Sequence, residues 1–402
     1  MDTQGDGDVL NDLIKINQLE YEMPSDMSCS NQRRHAKHFF SNATYGSSNP
    51  NMSCTLQTGS SLVDDCWLHF KVSVVSADPA QVTLKTGTDL IQNLVIYARD
   101  GCELERVSDV NLLCRSIQPF QDSLGKEDCY NQLYRKHKTF AVNINEYSIP
   151  LSSVSGLFES SKKRLLPSIL CAGLRVEITL SSSTTAFQVS TIAHNVTSYT
   201  VSDCYINCRE NSLSDSVSLQ INQSASQHGL EIPFKSVFTS RFDASSNFAN
   251  LEVRKACSRA LSLFIVPQAS ANLGSTILDS LSTEQDFSIA SVQTRVGSIY
   301  LPNSVCTSAQ EMYIYTCNCF DFPPHSSPAV SLDRFLSQGH GVVGQDLERS
   351  SVDLSGMSIN NSRTIASNLQ FSTTLTGGRS ITAFLQYVAV VRVFLNNTVL
   401  EM

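Results

Sequence analysis

The sequence of 402 residues is poor in charged side chains. Asp, Glu, Lys and Arg make up 16% of it, against roughly 25% in a typical soluble domain. The formal net charge is −8, which argues against a surface that is a nucleic-acid footprint throughout. A polar, weakly charged surface suits a protein whose faces are covered by neighbouring molecules, although a Ser-rich secreted sandwich would look similar.

Signs of export and of membrane insertion are also missing. The 13 cysteines are an odd number, whereas a secreted domain usually has an even disulfide framework. The first residues, MDTQGDGDVLND, are acidic and contain no apolar signal core. No stretch reaches the ~18 apolar residues of a membrane-spanning helix. We therefore expect a chain that folds in a reducing compartment with free thiols.

Motifs typical of catalytic, nucleotide-binding or metal-binding sites are absent, or occur without the neighbouring secondary structure or ligands that such sites need. The sequence contains no HExxH, GxSxG, Walker-type or CxxC motif. The GxGxxG pattern over 339–344 follows a predicted helix rather than a strand, so we expect a flexible loop there. A zinc site usually combines two closely spaced ligand pairs at a defined separation in the sequence. Neither Cys204 with Cys208 nor Cys317 with Cys319 has a second pair at such a separation. The sequence therefore predicts no catalytic residue, no cofactor and no metal site.

What the sequence does have is long runs of alternating apolar and polar residues. The alternation over 67–75 and over 173–180 is typical of half-buried strands. Residues 88–101 predict a strand that is apolar on both faces and ends in a turn. The run 384–395 has an unbroken apolar face, which predicts a central strand rather than an edge.

A few segments interrupt the strands. Residues 105–120 predict a helix, and 327–339 predict a short helix with Ser-Pro at its start and Gly after it. Residues 311–320 fit either a helix or a strand. Short strands with partly helical connections, and without alternating βα units, favour an all-β chain of jelly rolls or sandwiches.

The strand-rich pattern runs twice, which predicts two all-β domains. Apolar density falls over 214–229, so we place the boundary there. The predicted domains are an N-terminal arm at 1–30 with a short amphipathic helix, a first unit at 31–222 and a second unit at 223–402. Units of this size can each bury a core of their own.

Two groups of residues are candidates for contacts with partners. In the arm, Leu10, Leu13 and Ile14 could pack on a neighbouring subunit or on their own domain. Three basic clusters could face nucleic acid or an acidic partner, or could be solvated loops. These clusters comprise Arg33, Arg34, Lys37, Arg135, Lys136, Lys138, Lys162, Lys163 and Arg164.

The order of segments resembles that of the double jelly-roll major capsid proteins of the adenovirus–tectivirus lineage, and most closely those of virophages and Polinton-like viruses. The resemblance rests on the order of four passages rather than on a sharp motif. They are TDLIQNLVIYARDGCELERVSDVNLL at 88–113, the stretch 149–180, the stretch 230–267 and the stretch 346–395. Together they span most of residues 60–400.

The resemblance implies a fold and a function. The fold would be two consecutive eight-stranded jelly rolls with short helices in the connections. Three copies would form a homotrimer with six jelly rolls, a pseudo-hexagonal capsomer that tiles an icosahedral shell around a double-stranded DNA genome. Neighbouring capsomers, penton proteins and minor capsid proteins would be partners, and direct contact with DNA is left open. The protein would be made inside the host cell, in cytoplasm or nucleus, and would end in the virion without acting as an enzyme.

Two other classes of function remain as alternatives. One is a secreted or surface β-sandwich protein that binds carbohydrate or acts in adhesion, against which the missing signal core and the odd cysteine count argue. The other is a jelly-roll hydrolase or cupin-like enzyme. A cupin needs clustered His and carboxylate ligands, and the sequence has no HxH spacing.

Overall fold

The computed structural model describes residues 30–59, 61–121, 138–140, 144–161, 165–320, 329–349, 355–359, 364–373, 378–395 and 397–402. The predicted amphipathic helix of the arm lies outside these residues.

The main strands of the first half form two antiparallel sheets. The main strands are β1 (Ser30–Phe39), β2 (Asn51–Thr55), β3 (Leu62–Val75), β4 (Ile91–Tyr97), β5 (Glu103–Ser108), β6 (Ile144–Pro150), β7 (Arg175–Leu180) and β8 (Ser198–Leu213). One sheet has the order β1-β8-β3-β6 and the other has the order β2-β7-β4-β5. Sheet neighbours are thus mostly far apart in the sequence, as in a jelly roll.

The second half repeats this arrangement. Its main strands are β9 (Leu230–Ala244), β10 (Phe248–Val253), β11 (Cys257–Ala269), β12 (Ile289–Val296), β13 (Ile299–Cys306), β14 (Val343–Asp346), β15 (Ile365–Phe371) and β16 (Arg379–Val393). The sheets have the orders β9-β16-β11-β14 and β10-β15-β12-β13, which are the orders of the first half with eight added to each strand number. The predicted all-β fold of two eight-stranded jelly rolls is confirmed.

Shorter elements fill the connections. The short strands are Thr44–Gly46, Val82–Leu84, Lys138–Thr139, Phe187–Val189, Met357–Ile359 and Thr398–Glu401. The α-helices are α1 (Val110–Ser116), α2 (Gln118–Gln121), α3 (Gly156–Ser160), α4 (Ser168–Cys171), α5 (Ser183–Ala186), α6 (Asp215–Gln227), α7 (Ala309–Asn318) and α8 (Leu332–Ser337). Single 3₁₀ turns lie at Pro79–Gln81, Gly87–Leu90, Leu151–Ser153, Ile192–His194 and Ser270–Asn272.

The strand predictions are confirmed by burial and by sheet position. Leu68, Phe70, Val72 and Val74 on β3 are all buried, on the face that the alternation predicts. Strand β16 pairs with β9 on one side and with β11 on the other. It is therefore central, as its unbroken apolar face indicates.

The helix predictions are only partly right. Residues 105–108 belong to β5 and pair with β4 instead of opening a helix. Helix α1 begins after Asp109, whose φ of 55° ends the strand. Residues 309–318 form α7, which settles the ambiguous segment as helical. The later short helix begins at Leu332 rather than at 327.

The GxGxxG segment differs from the expected loop. Residues 343–346 form β14, which pairs with β11. Gly344 lies under α7, and a Cβ there would lie 2.8 Å from the Cα of Thr316. The glycine therefore serves the close approach of a helix to a strand rather than a cofactor.

Helix α6 connects the two jelly rolls. Pairing of the main strands on either side of it stays within each half. The expected boundary between 222 and 223 falls inside α6, and the division into two folding units stays a prediction.

Candidate functional site

The two jelly rolls approach each other closely at α3 and β9. A Cβ on Gly156 would lie 1.6 Å from the carbonyl oxygen of Lys235, so a side chain there would force the two rolls apart. The Glu105 carboxylate holds the start of α3 in place. It accepts hydrogen bonds from Ser155 Oγ at 2.5 Å, from the Gly156 amide at 2.9 Å and from the Leu157 amide at 3.2 Å.

Burial dominates the electrostatics of Glu105. The side chain is 3% exposed, and burial raises its pKa to about 7, although the hydrogen bonds from Ser155, Gly156 and Leu157 act in the opposite direction. A carboxyl group at the junction of the two rolls therefore titrates near neutral pH.

Side chains also bridge the two rolls beside this contact. Arg241 on β9 donates to both carboxylate oxygens of Asp109, with its Nε at 3.0 Å from Oδ2. Thr239 Oγ1 donates to the Ser108 carbonyl at 3.0 Å. Near the C-terminus, the Thr398 amide donates to Asp100 at 2.7 Å. Residues 100 to 109 of the first roll are thus bound to strands of the second.

A groove of about 560 Å³ runs between the rolls and is lined by both. Asp279 of the second roll binds Lys85 Nζ at 2.5 Å and Arg115 Nη2 at 2.6 Å. Burial acts to raise the pKa of Asp279, but Arg115 and Lys85 outweigh it and the pKa is lowered. Both cations of the first roll thus bind one carboxylate of the second, so the groove is a salt-bridged seam between the two rolls.

Among the residues that the structure describes, no group of three or more His, Cys, Asp or Glu side chains could hold a metal ion. In the same residues, no helix combines the length and apolarity needed to cross a membrane.

The first predicted basic cluster lies on β1, at the edge of its sheet. Its side chains make contacts within the roll. Arg33 pairs with Asp64 at 2.6 Å, and Arg34 donates to Glu210 at 3.0 and 2.9 Å. Lys37 Nζ lies 4.3 Å from the centre of the Tyr205 ring. Arg33 and Arg34 remain more than half exposed, so the edge still presents positive charge to solvent.

Of the remaining predicted residues, the structure describes only the backbone of Lys138. Lys138 lies on a short strand paired with Val82–Leu84, and its side chain lies outside the described part. The others also lie outside the described residues, namely Leu10, Leu13, Ile14, Arg135, Lys136, Lys162, Lys163 and Arg164.

Sequence reasoning missed an exposed apolar edge in the second roll. Strand β13 is the outer strand of its sheet, yet Ile299, Tyr300 and Val305 are 47%, 44% and 52% exposed. An apolar, unpaired edge is a site for association with another chain. One feature of the sequence could have indicated this edge strand, namely Pro302 inside an apolar run. Proline within a strand is confined mainly to edges and bulges.

A second exposed apolar patch lies on the first roll. It comprises Val75 at the end of β3, Ile144 at the start of the edge strand β6 and Ile192, which are 59%, 56% and 68% exposed. Ser73 pairs with Ile144 and Val75 pairs with Ser198, which places Val75 and Ile144 at the same end of the sheet. Both rolls therefore present apolar side chains near the edges of their sheets.

Comparison with known proteins identifies this architecture. No family model and no curated protein matches the sequence. Among solved structures, the quasi-atomic capsid of the virus PBCV-1 matches with a TM-score of 0.70 at 10% identity, over 95% of this chain and 99% of that chain. The Faustovirus major capsid protein matches with a TM-score of 0.66 at 7% identity, over 96% of this chain and 94% of that one.

A further match extends the same pattern. The mavirus major capsid protein matches with a TM-score of 0.55 at 10% identity, over 95% of this chain and 92% of that one. The chain is a double jelly-roll protein. Its fold is that of the viral major capsid proteins it matches, and the resemblance expected from the order of its segments is confirmed at the level of the fold.

Proposed function

We propose that this protein is the major capsid protein of a virus. The observation that carries the proposal is the coverage of the structural likeness. It spans 95% or more of this chain and 92% or more of the chains from PBCV-1, Faustovirus and mavirus. A shared binding module inside a different protein would cover only part of each partner. In this role the protein acts by assembly and does no chemistry.

The proposed assembly unit is a homotrimer. Three copies of two similar jelly rolls give a ring of six, a pseudo-hexagonal capsomer that tiles an icosahedral shell around a double-stranded DNA genome. Closed symmetry repeats each contact, so modest interfaces add up to a stable shell. The exposed apolar side chains of β13, Ile299, Tyr300 and Val305, support this proposal because subunit association would remove them from water.

The predicted contact residues have places in this assembly. Leu10, Leu13 and Ile14 of the arm contact a neighbouring subunit. The basic clusters, which include Arg33, Arg34 and Lys37, face the genome or an acidic partner. Neighbouring capsomers, penton proteins and minor capsid proteins complete the shell, and the protein resides in the virion after synthesis in the host cell.

The mass of the purified full-length protein in solution tests the proposal. We expect light scattering to give three times the mass of one chain, and negative-stain images to show hexagonal tiles or shells. A protein that stays monomeric at all concentrations and binds an immobilised glycan would contradict it and support a carbohydrate-binding or adhesive sandwich.

Changes at the apolar edge sharpen the test. Ile299→Asp with Val305→Asp should leave a folded monomer, because both side chains are exposed in the single chain. A matched pair, Leu219→Asp with Leu395→Asp, also replaces exposed apolar side chains but at positions outside β13 and outside the second apolar patch. Trimers that persist in the β13 variant would show that this edge is not the interface.

A further inference from the structure

Two cysteines face each other in the core of the first roll. Cys66 on β3 and Cys208 on β8 are direct partners in the strand register. Their sulfur atoms lie 3.0 Å apart, about 1 Å more than the length of an S–S bond. Both side chains are buried, at 2% and 0% exposed. Since partners directly opposite on neighbouring strands have closely spaced Cβ atoms, a bond between them needs only a small adjustment.

A histidine and a carboxylate complete the cluster. The Gln57 amide donates to His38 Nδ1 at 3.1 Å, which leaves the ring proton on Nε2. That nitrogen lies 3.1 Å from Glu210 Oε1, so the ring is held in one orientation by two partners. His38 and Glu210 are both buried, at 7% and 0% exposed. The arrangement places a proton-bearing imidazole beside the thiols.

This environment distinguishes Cys208 from its neighbours. The hydrogen bond from the Cys66 thiol lowers the pKa of Cys208, helped by His38 and opposed by burial. Burial raises the pKa of Cys54 to about 12 and raises that of Cys171 well above its ordinary value. Because the thiolate is the reactive form of cysteine, Cys208 is the nucleophile of this group and Cys66 is the thiol poised to resolve it.

We propose that Cys66 and Cys208 are an oxidation site that closes into a disulfide across β3 and β8 when the protein meets a small peroxide. The Cys208 thiolate attacks one oxygen of hydrogen peroxide, which forms a sulfenic acid and, with one proton, releases water. The Cys66 sulfur then attacks the Cys208 sulfur, the S–S bond forms and a second water leaves. The two thiols together lose two electrons and two protons, and the peroxide takes up both to give two waters.

The position of the pair decides what such a bond would do. Strands β3 and β8 are adjacent at the centre of the β1-β8-β3-β6 sheet, and the bond would join residues 142 apart in sequence. A link that closes so long a loop removes many conformations from the unfolded chain. Peroxide is close to water in size and reaches the site through local opening, whereas bulkier oxidants and reductants are excluded by the burial. The inference holds for the isolated subunit and does not rest on the proposed function.

Oxidation of the folded full-length protein tests the inference. The protein is treated with hydrogen peroxide, quenched by alkylation in denaturant and digested, and the peptides are mapped by mass spectrometry with and without reductant. We expect a peptide pair linking Cys66 to Cys208 and lighter by two hydrogen atoms. We also expect the midpoint of thermal unfolding to rise by roughly 5 °C or more and to return after unfolding and refolding in reductant.

Variants separate this site from general oxidation. Cys66→Ala and Cys208→Ala should each abolish the linked peptide and the thermal shift, while Cys257→Ala, a buried cysteine of the second roll, should keep both. If either variant fails to fold, the peptide mapping of the unmodified protein still tests the inference. If both thiols remain alkylatable after the more exposed Cys102 has been oxidised, or if the link forms only in denaturant, the inference is overturned.

Discussion

At the scale of single residues, buried charges differ in whether a partner compensates them. Arg379 is 1% exposed and binds Glu284 at 2.5 Å, and its guanidinium lies 4.1 Å from the centre of the Phe371 ring. Glu105 is equally buried but meets only neutral donors. The first arrangement pairs opposite charges, whereas in the second burial raises the pKa of the carboxyl group.

The raised pKa of Glu105 predicts how stability depends on pH. The folded protein holds a proton up to about pH 7 that the unfolded chain releases near its ordinary value of 4.5. The stabilisation from this group is complete below the unfolded value and is lost as pH rises through 7, by about 3 kcal/mol in total. Glu105→Gln should therefore flatten the fall in unfolding free energy between pH 5 and 8, measured by urea titration.

A matched substitution controls for pH effects elsewhere. Glu252→Gln removes an exposed carboxylate that pairs with Arg254, and it should leave the slope of stability against pH as in the unmodified protein. An identical slope for the Glu105 variant would show that Glu105 is ionised throughout this range.

Removal of Arg379 should destabilise the second roll strongly. Arg379→Ala leaves the Glu284 carboxylate buried without its partner, at a cost of about 3–5 kcal/mol. Arg254→Ala breaks a pair whose arginine side chain is 75% exposed, and it should change stability little. Chemical denaturation of the two variants measures the difference. The double change Arg379→Met with Glu284→Met should recover part of the loss, and equal losses for Arg379→Ala and Arg254→Ala would contradict the argument.

At the scale of elements, alternation in the sequence predicted the strands well and the helix start poorly. Residues 67–75 and 173–180 each bury one face, and that face can be read directly from a period of two. Residues 105–108 show no such alternation in the sequence, and they form a strand because they pair with β4. Pairing with a distant segment overrode the local preference for helix, which is the usual limit of local reasoning.

The centre of the second roll offers a test at this scale. Val391 on β16 is 0% exposed and lies opposite Ile232 and Leu400. Val391→Asp places an unpaired charge there, which costs several kcal/mol and approaches the stability of a whole domain. We expect insoluble protein on expression. Val399→Asp, at a site that is 37% exposed, should stay soluble, and soluble, cooperatively folding Val391→Asp would contradict the assigned core.

At the scale of the whole molecule, the seam between the rolls could not be predicted from the sequence. Its charges come from Lys85, Arg115 and Asp279, which are far apart in the chain and carry no motif. The first basic cluster was found from its run of like charges, but its pairing with Asp64 and Glu210 depends on the order of strands in the sheet. The low charge of the sequence predicts covered surfaces, and the fold adds where exposed apolar side chains lie along the sheet edges.

The arm gives a prediction for assembly. Deletion of residues 1–28 removes Leu10, Leu13 and Ile14 and leaves every main strand of both rolls intact. We expect trimers of unchanged thermal stability that form shells poorly, as counted by electron microscopy under assembly conditions. Leu10→Ala with Leu13→Ala should reproduce the defect, while Lys15→Ala should not. Normal shells from the truncated protein would contradict a role for the arm in subunit contacts.

The repeated strand order has a consequence for how this protein can change over generations. Each roll is encoded by its own stretch of the chain, so a substitution in β13 leaves the equivalent strand β5 as it was. In a ring built from six identical single rolls, one substitution would alter all six positions at once. In the proposed homotrimer of double rolls it would alter every second position, so one half of the chain could acquire a new contact while the other preserves the old geometry.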